Sequence, residues 1–393
     1  MRIGIYGGTF NPPHVGHISA ATQAVSALHL DKLLLIPDAL APHKQMPENS
    51  PTGFQRLEML RIGARDVPKA EVSDVELKRD GKSYTYETVL QIHKQYPRAD
   101  LFLLMGTDMF LCFDSWRNPD VIVKYATIGV FYRGDSGEVV VIREKKKQLE
   151  DLGAKVELVE NSVLQISSSD LRRMLTFRCA DAYLPEGVGE YIRTHGLYDS
   201  AISYRNLSDK ELEQTVVGLL KPNRVNHVLG CRDMAVALAK HYGAEETDAC
   251  RAALLHDITK ALPHGCQLTL CREYGRVLDD FYIQNPQVLH ALTGSLVAER
   301  IFGEKESVVR AICSHTTGRP NMGLLEKLIY IADLIEPNRT YGEAEVLRKL
   351  AFVDLDEAME EALKMTIALL KKQGREICEL SAKTLDWLNG DGK

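Results

Sequence analysis

Short apolar runs alternate with amphipathic stretches as far as Tyr198, and there the alternation stops. Ile3 to Tyr6, Lys32 to Ile36, Leu101 to Met105, Thr127 to Tyr132 and Lys155 to Val159 read as strands, with helical spacing between them. Strand and helix in repeated succession make a parallel sheet wound with helices on both faces, so the first half is expected to be an α/β, Rossmann-like fold. Beyond the polar stretch that follows Tyr198, strand-like runs are almost absent. Asp209 to Leu220, Arg224 to His241, Thr247 to Lys260, Leu268 to Tyr274, Pro286 to Ile301, Ser307 to Ser314, Gly323 to Ile335 and Leu355 to Gln373 carry apolar residues at helix spacing. The second half is therefore expected to be an all-α helical bundle. Asn285-Pro286 predicts an N-cap with proline at the first helical position, and Gly318-Arg319-Pro320 a helix end. With 393 residues the chain exceeds what one core usually serves, and it divides into 1–198, a linker 199–208, and 209–393.

Bulk properties exclude several classes of function. No apolar run approaches the roughly 18 residues of a membrane span, and Met1-Arg2-Ile3-Gly4-Ile5-Tyr6 lacks a signal-peptide pattern, so a cytoplasmic protein is expected. Eight scattered cysteines without a Cys-x-x-Cys pair point to reduced core thiols rather than to disulfides or a thiolate zinc site. A net charge of -6 argues against nucleic acid as the main partner and leaves small phosphorylated substrates. A homo-oligomer is compatible with all of this.

The first strand ends in Gly7-Gly8 and feeds a helix predicted over Val15 to Ala27. Such a turn gathers backbone N–H groups and the positive end of the helix dipole around one point, where phosphate is the natural guest. The two glycines let the backbone approach a ligand closely. His14 and His17, three residues apart at the helix start, can both donate to that anion and stabilise charge in a displacement at phosphorus. A second helix start, Ile166-Ser167-Ser168-Ser169-Asp170-Leu171-Arg172, repeats the arrangement with hydroxyls and an arginine one turn in. One of those serines also reads as a plain N-cap.

The string Gly7-Gly8-Thr9-Phe10-Asn11-Pro12-Pro13-His14-Val15-Gly16-His17 resembles the ATP-binding signature of the nucleotidylyltransferase superfamily, in the form found in bacterial nicotinate mononucleotide adenylyltransferases. Ile166 to Arg172 is similar to that family's second ATP motif, so the resemblance spans the first half. It implies that Gly7, Gly8, Thr9, Phe10, Ile166, Ser167, Ser168 and Ser169 bind ATP, with His14, His17 and Arg172 acting on its phosphates. Lys44, in Pro42-His43-Lys44, resembles a lysine that approaches substrate phosphates, and Gly106-Thr107-Asp108 a segment that contacts the nucleotide, with Asp108 near ribose hydroxyls. Thr85, within Ser83-Tyr84-Thr85-Tyr86-Glu87, and Trp116 resemble the residues that hold a pyridine carboxylate and stack on its ring, although an isolated Trp also reads as core. Arg133 matches an arginine near ATP, while Gly134 stands where a proline often follows. The implied reaction is transfer of AMP from ATP to nicotinate mononucleotide, with Mg²⁺ held mainly by phosphates and water. A different acceptor, nicotinamide mononucleotide or phosphopantetheine, is the alternative.

In the second half His227, His256-Asp257, His290, His315 and Asp333 fall on successive predicted helices or their ends. An adjacent His-Asp pair directs a nitrogen and a carboxylate from one helix toward an ion. Singly, each histidine reads better as a surface or core residue, as His241 and His264 do. The ordered series, with Lys260 three residues after Asp257, resembles the HD-domain phosphohydrolases, and its surroundings the subgroup that cleaves diadenosine tetraphosphate symmetrically to ADP. Six nitrogen and oxygen ligands exceed a tetrahedral zinc and suit two ions, iron or else manganese, bridged by Asp257. On this reading His227, His256, Asp257 and Asp333 bind one ion, Asp257, His290 and His315 the other, and Lys260 or Arg319 neutralises substrate charge. A nucleotide-sensing module without turnover is the competing reading.

Overall fold

Leu33, Leu34, Leu35 and Ile36 are all buried, and a strand with both faces covered belongs inside a parallel sheet. In the computed structural model, which describes residues 1–40, 46, 49–79, 81–132, 136–161, 166–340 and 342–390, it is one of the six strands of a parallel sheet. Lys44 and Arg133 lie outside the described residues. The chain forms two compact units, Met1–Ala201 and Ile202–Lys393.

The first unit runs β1 (Arg2–Gly8), α1 (Val15–Ala27), β2 (Lys32–Pro37), α2 (Gly53–Gly63), β3 (Ala70–Val72), α3 (Thr85–Gln95) and β4 (Asp100–Gly106). It continues with α4 (Thr107–Leu111), α5 (Pro119–Tyr125), β5 (Ala126–Tyr132), α6 (Ser136–Asp151), β6 (Val156–Glu160), α7 (Ser168–Thr176) and α8 (Val188–Thr194). All pairings are parallel, in the order β3-β2-β1-β4-β5-β6. Alternate residues enter different cores: Leu34, Ile36, Leu101, Leu103 and Met105 pack with α3 and α5, whereas Leu33, Leu35, Phe102 and Leu104 pack with α1 and α2. Ala20, Ala21 and Ala24 let α1 lie close to the sheet. The winding direction reverses between β1 and β4, so the crevice of this sheet opens beyond their carboxyl ends. The three-residue edge strand β3 is not among the predicted strands, because Ala70-Glu71-Val72 is too short to form an apolar run.

The second unit is helical: α9 (Asp209–Leu219), α10 (Pro222–Tyr242), α11 (Glu246–Leu255), α12 (His264–Glu273), α13 (Asp280–Gln284), α14 (Pro286–Val297), α15 (Glu306–Ser314), α16 (Leu324–Ile335), α17 (Gly342–Leu350), α18 (Leu355–Lys372) and α19 (Glu379–Leu388). A π turn, Ala298–Phe302, continues α14. The helix predicted over Thr247 to Lys260 stops at Leu255. Buried Ile258 and Leu262 extend the apolar spacing, but His256 Nδ1 lies 2.6 Å from the Ala253 carbonyl that would otherwise receive the Asp257 N–H. The backbone then tightens into i to i+3 bonds, Ile258 to Leu255 and Lys260 to Asp257. At the start of α14, Asn285 occupies the cap position, yet its amide donates to Phe281 O rather than closing the cap. α15 ends at Ser314, where the apolar spacing predicts, and the Gly318 N–H bonds back to Ser314 O. Among the described residues no helix is long and apolar enough to cross a membrane.

Candidate functional sites

Beyond β1 the chain turns through Phe10, whose φ of 46° lies in the left-handed region. Packing holds it there, because the buried ring meets Tyr6 and His17 at centroid distances of 5.7 and 5.0 Å. A Cβ at Gly8 would stand 3.3 Å from that ring, so glycine keeps it seated. Thr9 Oγ1 donates to Asp38 Oδ2 at 2.8 Å, and Arg56, only 1% exposed, donates to Thr9 O at 2.5 Å and to both Oδ1 and the carbonyl of Asp38. Arg56 and Asp38 carry no local motif, and the sequence reading passes over them.

His14 and His17 cap α1 reciprocally. Each backbone N–H points at Nδ1 of the other ring, at 3.2 and 3.3 Å, and the rings stack at 3.5 Å. With both Nδ1 atoms accepting, the N–H of each ring is on Nε2. Burial lowers His14 to about 4, so it is neutral near pH 7.

Both rings line a cavity of about 690 Å³ at the crevice, together with Thr9, Asn11, Gly106, Asp108, Ile166, Ser167, Ser168, Ser169 and Arg172. The far wall is the start of α7. There the Ser167 hydroxyl closes a capping box with Asp170, accepting its N–H at 3.1 Å. Ser168 Oγ reaches Pro12 O at 3.3 Å, and Arg172 spans the wall by donating to Ser169 Oγ and to Asn11 O, at 3.0 and 2.8 Å. Asn11 is fixed in turn by the buried Tyr198, whose hydroxyl donates to Oδ1 at 2.6 Å. Tyr198 is 187 residues away along the chain, and nothing local marks it.

Gly7, Gly8 and Phe10 shape the turn but do not line the cavity, and neither do Thr85 and Trp116. Thr85 opens α3, beside a Tyr84 ring covered by the Arg117 guanidinium at 4.6 Å. Trp116 packs on Phe113 at the margin of the core, with its indole Nε1 buried and without a hydrogen-bond partner among the described residues.

The second site sits among α10, the turn after α11, α14, α15 and α16, and it unites all six candidate ligands. Asp257 Oδ2 faces His227 Nε2 at 3.6 Å and His256 Nε2 at 3.5 Å, while Oδ1 faces His290 Nε2 at 3.1 Å and His315 Nε2 at 3.8 Å. Asp333 Oδ1 lies 3.1 Å from His227 Nε2 and 3.9 Å from His256 Nε2. Ligand atoms of His227, His256 and Asp333, and again of His256, Asp257 and His315, fall within 4.8 Å of one another.

Behind three of the rings stands an acceptor for Nδ1–H: Glu336 Oε1 for His227 at 3.1 Å, Ala253 O for His256 at 2.6 Å and Ile312 O for His315 at 2.7 Å, while Lys260 Nζ lies 3.3 Å from His290 Nδ1. The Nε2 lone pairs of His227 and His256 therefore point inward at carboxylate oxygens, an arrangement that is repulsive unless a cation lies between them, and the Nε2 atoms of His290 and His315 lie 3.1 Å apart. His256 Nε2 is fully buried with no hydrogen-bond partner. This donor set fits divalent metal ions.

Burial drives His256 well below the usual histidine range and takes His290 and His315 to about 3. Lys260 Nζ lies 3.1 Å from His290 Nε2, and burial lowers it to about 8. Arg319 is committed elsewhere, donating to both carboxylate oxygens of the buried Glu326 at 2.7 and 2.6 Å. The further cations at the site are Arg224, paired with Asp257, and Arg339, 3.0 Å from Asp333 Oδ1. Arg224 lies one helical turn before His227, a spacing that puts both on one face and was legible. His241, exposed against Phe352, and His264, at the start of α12, stand apart from the ligand groups.

Residues 5–174 match the Cytidylyltransferase-like family and residues 224–338 the HD domain. A protein of Exiguobacterium sibiricum named a probable nicotinate-nucleotide adenylyltransferase is 35% identical over 199 residues, covering 50% of this chain and 99% of the relative. A protein of Mycoplasma pneumoniae named a probable nicotinate-nucleotide adenylyltransferase/Ap4A hydrolase is 28% identical over 93% of this chain and 99% of its own length. A solved structure from Clostridium acetobutylicum, described as a predicted HD superfamily hydrolase involved in NAD metabolism, is 36% identical, covers 47% of this chain and 98% of its own, and has a TM-score of 0.46. With a parallel-sheet half matched over nearly the whole length of its relative and an HD domain behind it, the chain belongs to the nicotinate-nucleotide adenylyltransferase family, in a form that also carries an HD domain.

Proposed function

We propose that the first unit transfers AMP from ATP to nicotinate mononucleotide, releasing pyrophosphate, and that the second hydrolyses diadenosine tetraphosphate symmetrically to ADP. The first half of this reading is carried by the His14–His17 pair, which turns two Nε2–H donors toward a cavity closed by the Ser168–Arg172 helix start. An ionised acceptor phosphate needs no general base, so its oxygen attacks the α-phosphorus directly while His14, His17 and Arg172 hold the developing charge. Mg²⁺ travels with the nucleotide phosphates. Asp108 is assigned to a substrate contact from its place on the cavity wall, and Lys44, Thr85, Trp116 and Arg133 on the resemblance alone.

The second half is carried by Asp257, whose two oxygens face different pairs of imidazoles. In this assignment His227, His256, Asp257 and Asp333 hold one ion and Asp257, His290 and His315 the other, with iron preferred to manganese. When bound, the ions supply Lewis acidity for attack of water on a phosphorus. Lys260, with Arg224 and Arg339, balances charge on the polyphosphate. We assign residues 1–198 to the transferase, 199–208 to a linker and 209–393 to the hydrolase, in a cytoplasmic enzyme whose partners are ATP, nicotinate mononucleotide and diadenosine tetraphosphate rather than nucleic acid or membrane.

Assay of the full chain tests both halves. Pyrophosphate release from ATP is followed with nicotinate mononucleotide, nicotinamide mononucleotide and phosphopantetheine, and the nicotinate compound should react fastest; another acceptor in first place replaces the assignment. Diadenosine tetraphosphate with Mn²⁺ should yield ADP as sole product, whereas ATP plus AMP would contradict symmetrical cleavage, and binding without turnover would favour the sensing role.

A further inference from the structure

Glu336 is 1% exposed, and a buried carboxylate is costly unless its oxygens are satisfied. It follows the last turn of α16 with extended backbone, ψ 154°, which turns the side chain back under α10. There Oε2 accepts from the backbone and side-chain amides of Asn338, at 2.7 and 2.9 Å. The Asn338 amide also donates to Asn226 O at 3.1 Å, stitching this turn to the residue before His227. Oε1 is left facing His227 Nδ1 at 3.1 Å. Room for the carboxylate comes from Gly230, where a Cβ would stand 2.6 Å from Oε2. The rings of His256 and His315 are backed by neutral carbonyls instead, so His227 alone among the three has a charged acceptor behind it.

We propose that Glu336 is a positioning residue for one ion of the metal centre. By accepting the Nδ1 proton it fixes the tautomer and orientation of His227 and makes Nε2 a stronger donor, and Gly230 is the vacancy that admits it. Carboxylates behind metal-binding imidazoles generally act in this way. The inference rests on the reading of the second unit as a metal centre, and it is site-selective: Glu336 supports the ion on His227, His256 and Asp333, and leaves the ion on His290 and His315 alone.

The test is a Mn²⁺ titration of the chelator-stripped full chain by calorimetry, together with ¹⁵N spectra of its histidines and thermal unfolding without metal. Wild type should bind two ions, with His227 in the Nδ1–H form. Glu336→Gln keeps the shape and loses the charge, so it should weaken one of the two ions about 10- to 100-fold and leave the other unchanged, with Glu336→Ala weaker still. Gly230→Ala keeps every charge but crowds Oε2, and it should weaken the same ion and leave the other unchanged, with the unfolding temperature of the metal-free chain reporting the cost of crowding separately. It also keeps the proposal testable should the Glu336 variants fail to fold. Two ions bound as in wild type by both E336Q and G230A would overturn the assignment of Glu336 alone, as would equal weakening of both ions. A wild type that takes up no Mn²⁺ would overturn the metal-centre reading and this inference with it.

Discussion

Both units turn imidazoles inward, and they do so in opposite protonation patterns. In the first, backbone N–H groups stand behind His14 and His17, so Nδ1 accepts and the proton is left on Nε2, where it can meet an anion. In the second, carbonyls and Glu336 stand behind the rings, so Nδ1 donates and an Nε2 lone pair is left for a cation. The same side chain becomes an anion donor or a metal ligand according to the group at its back. The first site sets Arg172 and Asp108 on the wall of an open cavity, whereas the second gathers Asp257, Asp333 and Glu336 in its interior.

If the contrast holds, the two chemistries can be separated. Asp257→Ala should lower diadenosine tetraphosphate hydrolysis by about 10³-fold or more while adenylyl transfer stays within about twofold; a joint loss in paired assays would break the comparison. Chelation should stop both reactions reversibly, with Mg²⁺ alone restoring transfer and only iron or manganese restoring hydrolysis. His17→Ala should cost transfer about 10²- to 10³-fold in kcat, the range for removing a donor to transition-state charge, and leave Mn²⁺ binding untouched.

Acid sharpens the contrast further. Because His14 titrates at about 4 when folded and near 6.5 when unfolded, the unfolded chain binds more protons between those values. Stability of the first unit should therefore be full above pH 6.5 and fall by about 3 kcal/mol as pH drops to 4. Urea unfolding at a series of pH values checks this, and His14→Asn, which keeps a capping side chain, should flatten that dependence. The smallest effect is expected for Tyr198→Phe, which removes one buried hydrogen bond to Asn11 and should cost about 1 kcal/mol, together with a modest rise in KM for ATP.

Much of this was legible where chemistry and spacing coincide in one stretch of chain. The turn after β1, the serine-rich start of α7 and the His-Asp pair announce themselves because their residues are neighbours. Arg56, Tyr198, Glu336 and Arg339 do not, since each is an ordinary residue whose partner lies across the fold. The overrun of α11 has a different origin: Ile258 and Leu262 continue the helical period, while the event that ends the helix, an imidazole taking a backbone carbonyl, leaves no trace in apolar spacing. Ser167 illustrates a third limit, because cap and phosphate ligand are written with the same hydroxyl, and in the structure that hydroxyl closes a capping box.

The reciprocal cap of α1 also bears on the order in which the molecule can assemble. His14 and His17 meet across three residues, a loop whose closure costs little entropy, so the donor pair can form with the first turn of its helix. The ligands of the second site run from position 227 to 333, and they converge only when five helices have docked. Contacts of such range form slowly. Refolding followed by metal uptake should therefore lag behind the appearance of helix, and the metal centre should be among the last features of the chain to mature.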